Sequence, residues 1–427
     1  MRAKLFSKKR YPPGPWGIPL IGHLHLLGDN PERKYLQWWQ RYGDVVKIRF
    51  GSWNAIVVNG YKTVKDVAER KDDVFSGRPN FVTQVVLREA FGGIEALTFV
   101  NFSPKYLQLR KRTATALRSY LSKCEYCPED LFRDEAEKLT EKLLRYPSDD
   151  AVSVVTDVEL AVIRWNKFKE AVLSTEWITK AKIEEHRLSF QKGQTRDVLD
   201  ALCDLSTDLP SCESVDSVSS LHLMYQVAAL QGAGFDTTSR TILFIILYLI
   251  AYPDVQERVQ KEVDDVLGSS KIVKWKDRDT LPYLNATIYE VMRKTTVVPF
   301  AIPHYTLNDT ELRGYDIDKD TVVFLNLHSV ANEKSFWGDP ENFRPERLLD
   351  EDGMLDAEKC SHILTFSAGR RRCVGDVIAK MNIFILITTL VQRCSFKKAD
   401  GHDVDFEPVR SLVLSPKPFK VNVNRRY

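Results

Sequence analysis

The sequence predicts a mainly α protein with a small β-sheet region, and three observations carry that expectation. A long apolar stretch, Leu221 to Tyr252, is halted by Pro253 and as a helix would run about 48 Å at 1.5 Å per residue. Asp130 to Arg145 and Phe168 to Phe190 repeat their apolar residues at helical spacing, one stripe per turn. Strand-like alternation is confined to short runs near both ends, which predicts a sheet contributed by both ends of the chain.

In chain order, Arg2, Lys4, Lys8, Lys9 and Arg10 make a basic cluster, and YPPGPWGIPLIGHL (Tyr11 to Leu24) holds four prolines. Such a segment runs extended and stiff, because proline lacks the N–H a helix needs. Residues 1–24 are therefore expected to form an arm and 25–427 a single domain. His23 and His25 alternate in the arm and are expected at the surface, not as ligands. Asp44 to Tyr61 reads as two strands about a Gly51-Ser52 turn, after which YKTVKDVAERK turns helical. Ser206 to Ser220 is rich in Ser, Asp and Pro, a loop composition. Pro253 to Leu267 and Leu281 to Lys294 are two further helices. Tyr305 to Phe324 gives short strands, and Asn326 to Met354 an irregular meander.

Composition narrows the class. Of 427 residues 44% are hydrophobic and 28% charged, with a net charge of +3, which is ordinary for a globular protein with a sizeable core. The arm supplies much of the positive charge, so nothing points to nucleic acid. Seven cysteines, an odd number at irregular spacing, form no disulfide framework and indicate a reducing compartment. Cys124 and Cys127 make one CxxC without a second pair, read as ordinary cysteines rather than a zinc site. The longest apolar runs, Ile242–Ala251 and Ile383–Val391, are about half the ~20 residues a bilayer span needs.

The chemistry gathers around FSAGRRRCVGD, residues 366 to 376, where Cys373 follows three arginines at the mouth of an apolar helix. Arginines and a helix N-terminus favour a thiolate, which either attacks a substrate or ligates a metal. Inside the long helix, AGFDTT (Ala233 to Thr238) places a glycine costing about 1 kcal/mol beside an acid and a hydroxyl. Gly234 and a back-bonding Thr237 would loosen the helix into a groove, and Asp236 beside Thr237 suits proton delivery. A slightly bent core helix explains the same stretch. Glu290 and Arg293 share a helix face in YEVMRK, and RPERL adds Arg347. A buried Glu–Arg–Arg set would lock the meander to that helix through bidentate bonds; a surface ion pair is the plainer alternative.

Together these stretches resemble the cytochrome P450 family. Residues 366–375 fit F-x-x-G-x-R-x-C-x-G, with ExxR at Glu290, PER between them and A-G-x-D-T-T earlier. FSGRP (Phe75 to Pro79), the IPH at Ile302 to His304 and the C-terminal SPKPFKVNV are similar to the microsomal animal members that hydroxylate steroids and aromatic xenobiotics. The resemblance implies the cytochrome P450 fold, haem b (iron protoporphyrin IX) as cofactor, and Cys373 as proximal thiolate ligand of the iron. It implies propionate contacts at Arg371, Arg78 and His304, and places Tyr106 and Arg110 where the family has W-x-x-x-R. Backbone N–H groups near Gly369 and Gly375 would moderate the sulfur's charge. Asp236 and Thr237 match the acid–alcohol pair of proton delivery.

The implied reaction inserts one atom of O2 into a small apolar substrate with electrons from NADPH-cytochrome P450 reductase, at the cytoplasmic face of the endoplasmic reticulum membrane. Lys105, Lys111, Arg112, Arg370, Arg372 and Lys380 are candidates for the reductase-facing patch, and the basic arm for peripheral membrane contact. One departure stands out: Arg110 and Thr237 are only 127 residues apart, short for the family. Part of the substrate-roofing helices is expected to be missing, with AVIRWNKFKEAVL (Ala161 to Leu173) reading like the junction. That favours, as the alternative, a haem-binding but catalytically impaired truncated isoform or incomplete gene model; an isomerase using no O2 is disfavoured by the Asp236–Thr237 pair.

Overall fold

The computed structural model describes residues 9–81, 97–123, 128–146, 151–155, 157–158, 188–189, 195–204 and 218–427. Helix α1 (Pro31–Tyr42) starts with proline at its first position and stops at Gly43, where φ is 88°; proline is pre-set for a helix start and glycine for the left-handed stop. Its buried Tyr35 and Trp38 cover a sheet. Strands β1 (Val45–Phe50) and β2 (Trp53–Val58) form the expected hairpin. Helix α2 (Tyr61–Lys65) runs into one π turn, Asp66–Arg70, a widening the sequence does not announce. Then come α3 (Pro104–Lys123), α4 (Pro128–Leu143), the short strand β3 (Val152–Ser153) and α5 (Val198–Asp204).

Helix α6 (Val218–Ala251) is continuous. From Ile242 to Ile250 every side chain is buried, as in a helix surrounded by protein. It is long and apolar enough to cross a membrane, but it is the central core element here. Helices α7 (Pro253–Leu267) and α8 (Pro282–Thr295) again open on proline. Strands β4 (His304–Tyr305), β5 (Thr310–Leu312), β6 (Tyr315–Ile317) and β7 (Val322–Leu325) follow. The expected irregular meander carries short helices, α9 (Leu327–Ala331), α10 (Lys334–Trp337) and a 3-10 turn at Pro345–Leu348. Helix α11 (Ala357–His362) leads into the cysteine loop, and α12 (Asp376–Arg393) leaves it, fully buried from Met381 to Gln392. Strands β8 (Cys394–Lys398), β9 (Pro408–Val409), β10 (Ser415–Pro416) and β11 (Lys420–Arg425) close the chain.

Helix α12 packs on α4, α6 and α7, and α8 packs on α6 and α7, so one large core links these helices. The sheet expected from both ends is several separate sheets. One has the order β1-β2-β7-β4, another β3-β11-β8. The N-terminal strands thus pair with residues 304–325, while the C-terminal strand pairs elsewhere.

The arm lies against this body. Lys47 N donates to Pro13 O at 2.8 Å, and Asp316 N to Arg10 O at 2.7 Å. A Cβ on Gly14 would stand 2.0 Å from Lys47 O, so only glycine permits that approach. His23 is not at the surface: it is buried, its Nδ1 accepts from Arg49 N at 2.8 Å, and its Nε2 lies 2.9 Å from Pro15 O. The arm's carbonyls need partners once it docks, and the imidazole serves one of them. His25 is exposed as expected, and Trp16, Leu20 and Leu24 stand out into solvent. The Cys124/Cys127 pair and most of the Phe168 to Phe190 and Ser206 to Ser220 stretches lie outside the described residues.

Candidate active site

The loop before α12 is pinned at both ends. Cys373 N donates to Phe366 O at 2.9 Å, and Gly369 sits against the π turn. A Cβ there would fall 1.6 Å from Ala68 O, and the residue's φ is +65°. Gly369 is therefore needed for packing, as only a glycine fits there. The N–H of Gly375 donates to the Cys373 thiol, which favours the thiolate.

The three arginines part company. Arg370 pairs with Asp72 at 2.8 Å, and Arg372 with Asp376 at 2.5 Å. Arg371 turns inward, donating to Ser76 O at 2.7 Å and Val100 O at 2.7 Å, with its guanidinium 3.9 Å from the centre of the Tyr106 ring. The arginines lower the thiol pKa as the sequence reading expects, but they do not set its net direction. Burial is the largest influence and pushes the Cys373 thiol up; Asp376 adds to this, while Arg110 and Arg372 only oppose it. Coordination to a metal deprotonates a thiol outright, so the ligated state does not depend on those arginines.

Around Arg371 the structure gathers Arg78, His304, Tyr106 and Arg110. Arg78 is buried and donates to Thr98 O, Ile302 O and Pro303 O, each at 2.9 Å. Burial, then Arg371, lowers its pKa. His304 Nδ1 lies 2.8 Å from Phe75 O, and burial with both arginines drives its pKa well below the ordinary value, so it is neutral. Tyr106 donates to Arg370 O at 2.9 Å, and Arg110 to Arg372 O at 2.6 Å. Among the described residues neither Arg78 nor Arg371 has a carboxylate partner. A buried guanidinium with a half-buried one beside it and no acid for either is costly, and what would relieve them is an anion carrying more than one charge. Two propionates meet that requirement, so these residues fit haem b. The Ser76, Thr98 and Val100 carbonyls that aim the arginines have no side-chain signature, and sequence reasoning missed them for that reason.

In α6, Thr237 Oγ1 donates to Ala233 O at 2.8 Å. The helix is unbroken there, so the expected groove is no more than open space: nothing lies within 4 Å of a Cβ built on Gly234. Asp236 pairs with Arg240 at 3.2 Å, one turn on. Glu290, Arg293 and Arg347 come together in the interior. Arg293 grips both Glu290 oxygens, at 2.8 and 2.7 Å, and Arg347 adds a bond at 3.0 Å. Arg293 also donates to Ala331 O, and Arg347 to Trp337 O and Asn342 O. The surface ion pair is thereby excluded for this set. Of the six basic candidates, Arg370 and Arg372 are paired and Lys380 lies over the Tyr289 and Phe366 rings. Lys105, Lys111 and Arg112 are exposed on α3.

A mainly helical fold, a cysteine loop at a helix mouth and an acid-free cationic pocket beside it define a haem-thiolate class of protein. The family model for Cytochrome P450 matches residues 12–164 and 160–423, and the chain belongs to that family of haem b monooxygenases. It is 32% identical to Cytochrome P450 1A1 of Felis catus over 464 residues, covering 94% of this chain and 89% of that protein. The rat (Rattus norvegicus) Cytochrome P450 1A1 is 31% identical over 465 residues, covering 94% and 88%. Both alignments are longer than this 427-residue chain, so they carry gaps within it, and the family match breaks at 160–164. That break coincides with the stretch read as a junction.

Proposed function

We propose that this monooxygenase acts on a small apolar substrate of the steroid or aromatic xenobiotic class, with electrons from NADPH-cytochrome P450 reductase. The observation that carries the reading is the acid-free group of Arg78, Arg371 and His304 beside Cys373. In it Cys373 would hold the haem iron and Arg78 and Arg371 would receive the propionates; His304, whose Nδ1–H faces Phe75 O, would join them once a propionate draws a proton onto Nε2, and Tyr106 and Arg110 would brace the loop from α3. When bound, thiolate-ligated haem supplies activation of O2, one atom entering the substrate and the other leaving as water. The chain's own part is to fix that group, exclude water and move protons. Thr237 Oγ1 holds a proton directed at Ala233 O, and a hydroxyl rotation would redirect it. Asp236, a carboxylate paired with Arg240, would take up a proton from solvent and pass it on to replace the one given.

Glu290, Arg293 and Arg347 play a structural part, fastening the meander to α8. Residues 25–427 act as one catalytic domain, with 1–24 as its arm. Lys105, Lys111 and Arg112 give the reductase a cationic face. The endoplasmic reticulum membrane, at its cytoplasmic face, is the proposed location. The exposed Trp16, Leu20 and Leu24 would touch lipid, aided by the basic arm at about 1 kcal/mol per charge.

A second reading, haem binding with impaired turnover, is favoured by one observation: the family match breaks where the substrate roof is expected. Reconstitution with purified reductase separates the two. Product formed in proportion to NADPH consumed supports the monooxygenase, whereas consumption without product, at full haem loading, supports the impaired chain.

A further inference from the structure

We propose that a second small-molecule site, for a compact amphipathic anion, lies between the C-terminal half of α6 and the strands β8 and β11. A cavity of about 350 Å³ opens there, within the range of small-ligand sites. Its floor is apolar: Leu247 and Ile250 from α6, with Val404 and Phe419 packed on the same core. Its mouth is cationic. Lys398, Lys417 and Lys420 line it with only two acids, Asp403 and Asp405. Lys398 pairs with Asp403 at 2.7 Å and Lys417 with Asp405 at 2.6 Å, both in solvent, where such pairs are worth little.

Lys420 has no acid partner among the described residues and is left as the uncompensated charge. The backbone fixes where it stands, since β11 pairs with β3 at Lys420 and Ser153. Apolar floor and single spare cation together select a ring system or short chain bearing one negative group, such as a carboxylate or sulfonate. A neutral ligand would forgo the charge, and a dianion would meet Asp403 and Asp405. None of the residues near Cys373 lines this cavity, so occupancy here is separate from the haem side.

The probe is naphthalene-2-sulfonate, titrated calorimetrically into the haem-loaded protein while the Soret band is recorded. Saturable binding is expected with the Soret band unmoved. Lys420→Glu should weaken it tenfold or more, and Val404→Trp, which fills the cavity from a half-buried position, should abolish it. Circular dichroism checks that both variants remain folded. Absence of saturable binding, wild-type affinity in either variant, or a Soret shift that tracks the titration overturns the proposal.

Discussion

Arg78 has a cost that only a ligand relieves. Its guanidinium is buried beside a second one and meets carbonyls but no acid. Arg78→Met should leave the melting of haem-free protein little changed, because a lost burial penalty offsets lost hydrogen bonds. Haem release to an acceptor globin should quicken on the order of tenfold, as expected for one charged hydrogen bond. Release at the wild-type rate would remove Arg78 from the propionate site. Residue identity was legible here to the extent that charge and spacing are local. Cys373, Arg371, Glu290 and Arg293 stand in short motifs. The fate of Arg370 was not legible, because its partner Asp72 comes from a distant segment, whereas Arg372 pairs locally with Asp376. His23 was misjudged for a similar reason: only the docked arm creates the carbonyls it serves.

At the scale of the element, two contacts fasten the cysteine loop and the meander. Gly369→Ala would drive a methyl into Ala68 O in a left-handed conformation, so the loop must lift from the π turn. The expected result is folded protein with a lowered Soret-to-280 nm ratio; full haem incorporation would show the loop can yield. Glu290→Ala strands Arg293 and Arg347 as buried cations, at a cost of about 3–5 kcal/mol. Urea denaturation measures it, and an unchanged midpoint would contradict the account. The helix beginning at Pro253 and the one beginning beside Pro282 were readable in the sequence; the helix at Pro31–Tyr42 was not read, and α8 ends at a left-handed Thr296 rather than at a glycine. The continuity of α6 through Gly234 was not, because packing along Ile242 to Ile250 outweighs about 1 kcal/mol of glycine propensity.

Across the whole molecule, stability should fall as the solution becomes mildly acidic. His328 is half-buried, and desolvation by the surrounding protein, then Lys294, Arg33 and Arg293, lower its pKa to about 4; the buried His304 is also lowered. A base whose folded pKa lies below its unfolded value leaves the unfolded chain holding more protons between the two. The stabilising difference is complete above an ordinary histidine pKa near 6.5 and is lost as pH falls below it. Each such group contributes a slope of about 1.4 kcal/mol per pH unit in that window. Denaturant titrations of haem-free protein between pH 7.5 and 5 should show it. His328→Gln should flatten the slope by about one proton, and an identical slope would refute the assignment.

The cationic pocket is assembled from four short pieces of chain: Phe75 to Arg78, Thr98 to Arg110, Ile302 to His304, and Gly369 to Cys373. None of its contacts among the described residues comes from the stretch between Arg110 and Thr237. In the vocabulary of gene architecture, the residues proposed to hold the cofactor are encoded on either side of that interval. A change of length there would leave those contacts in place.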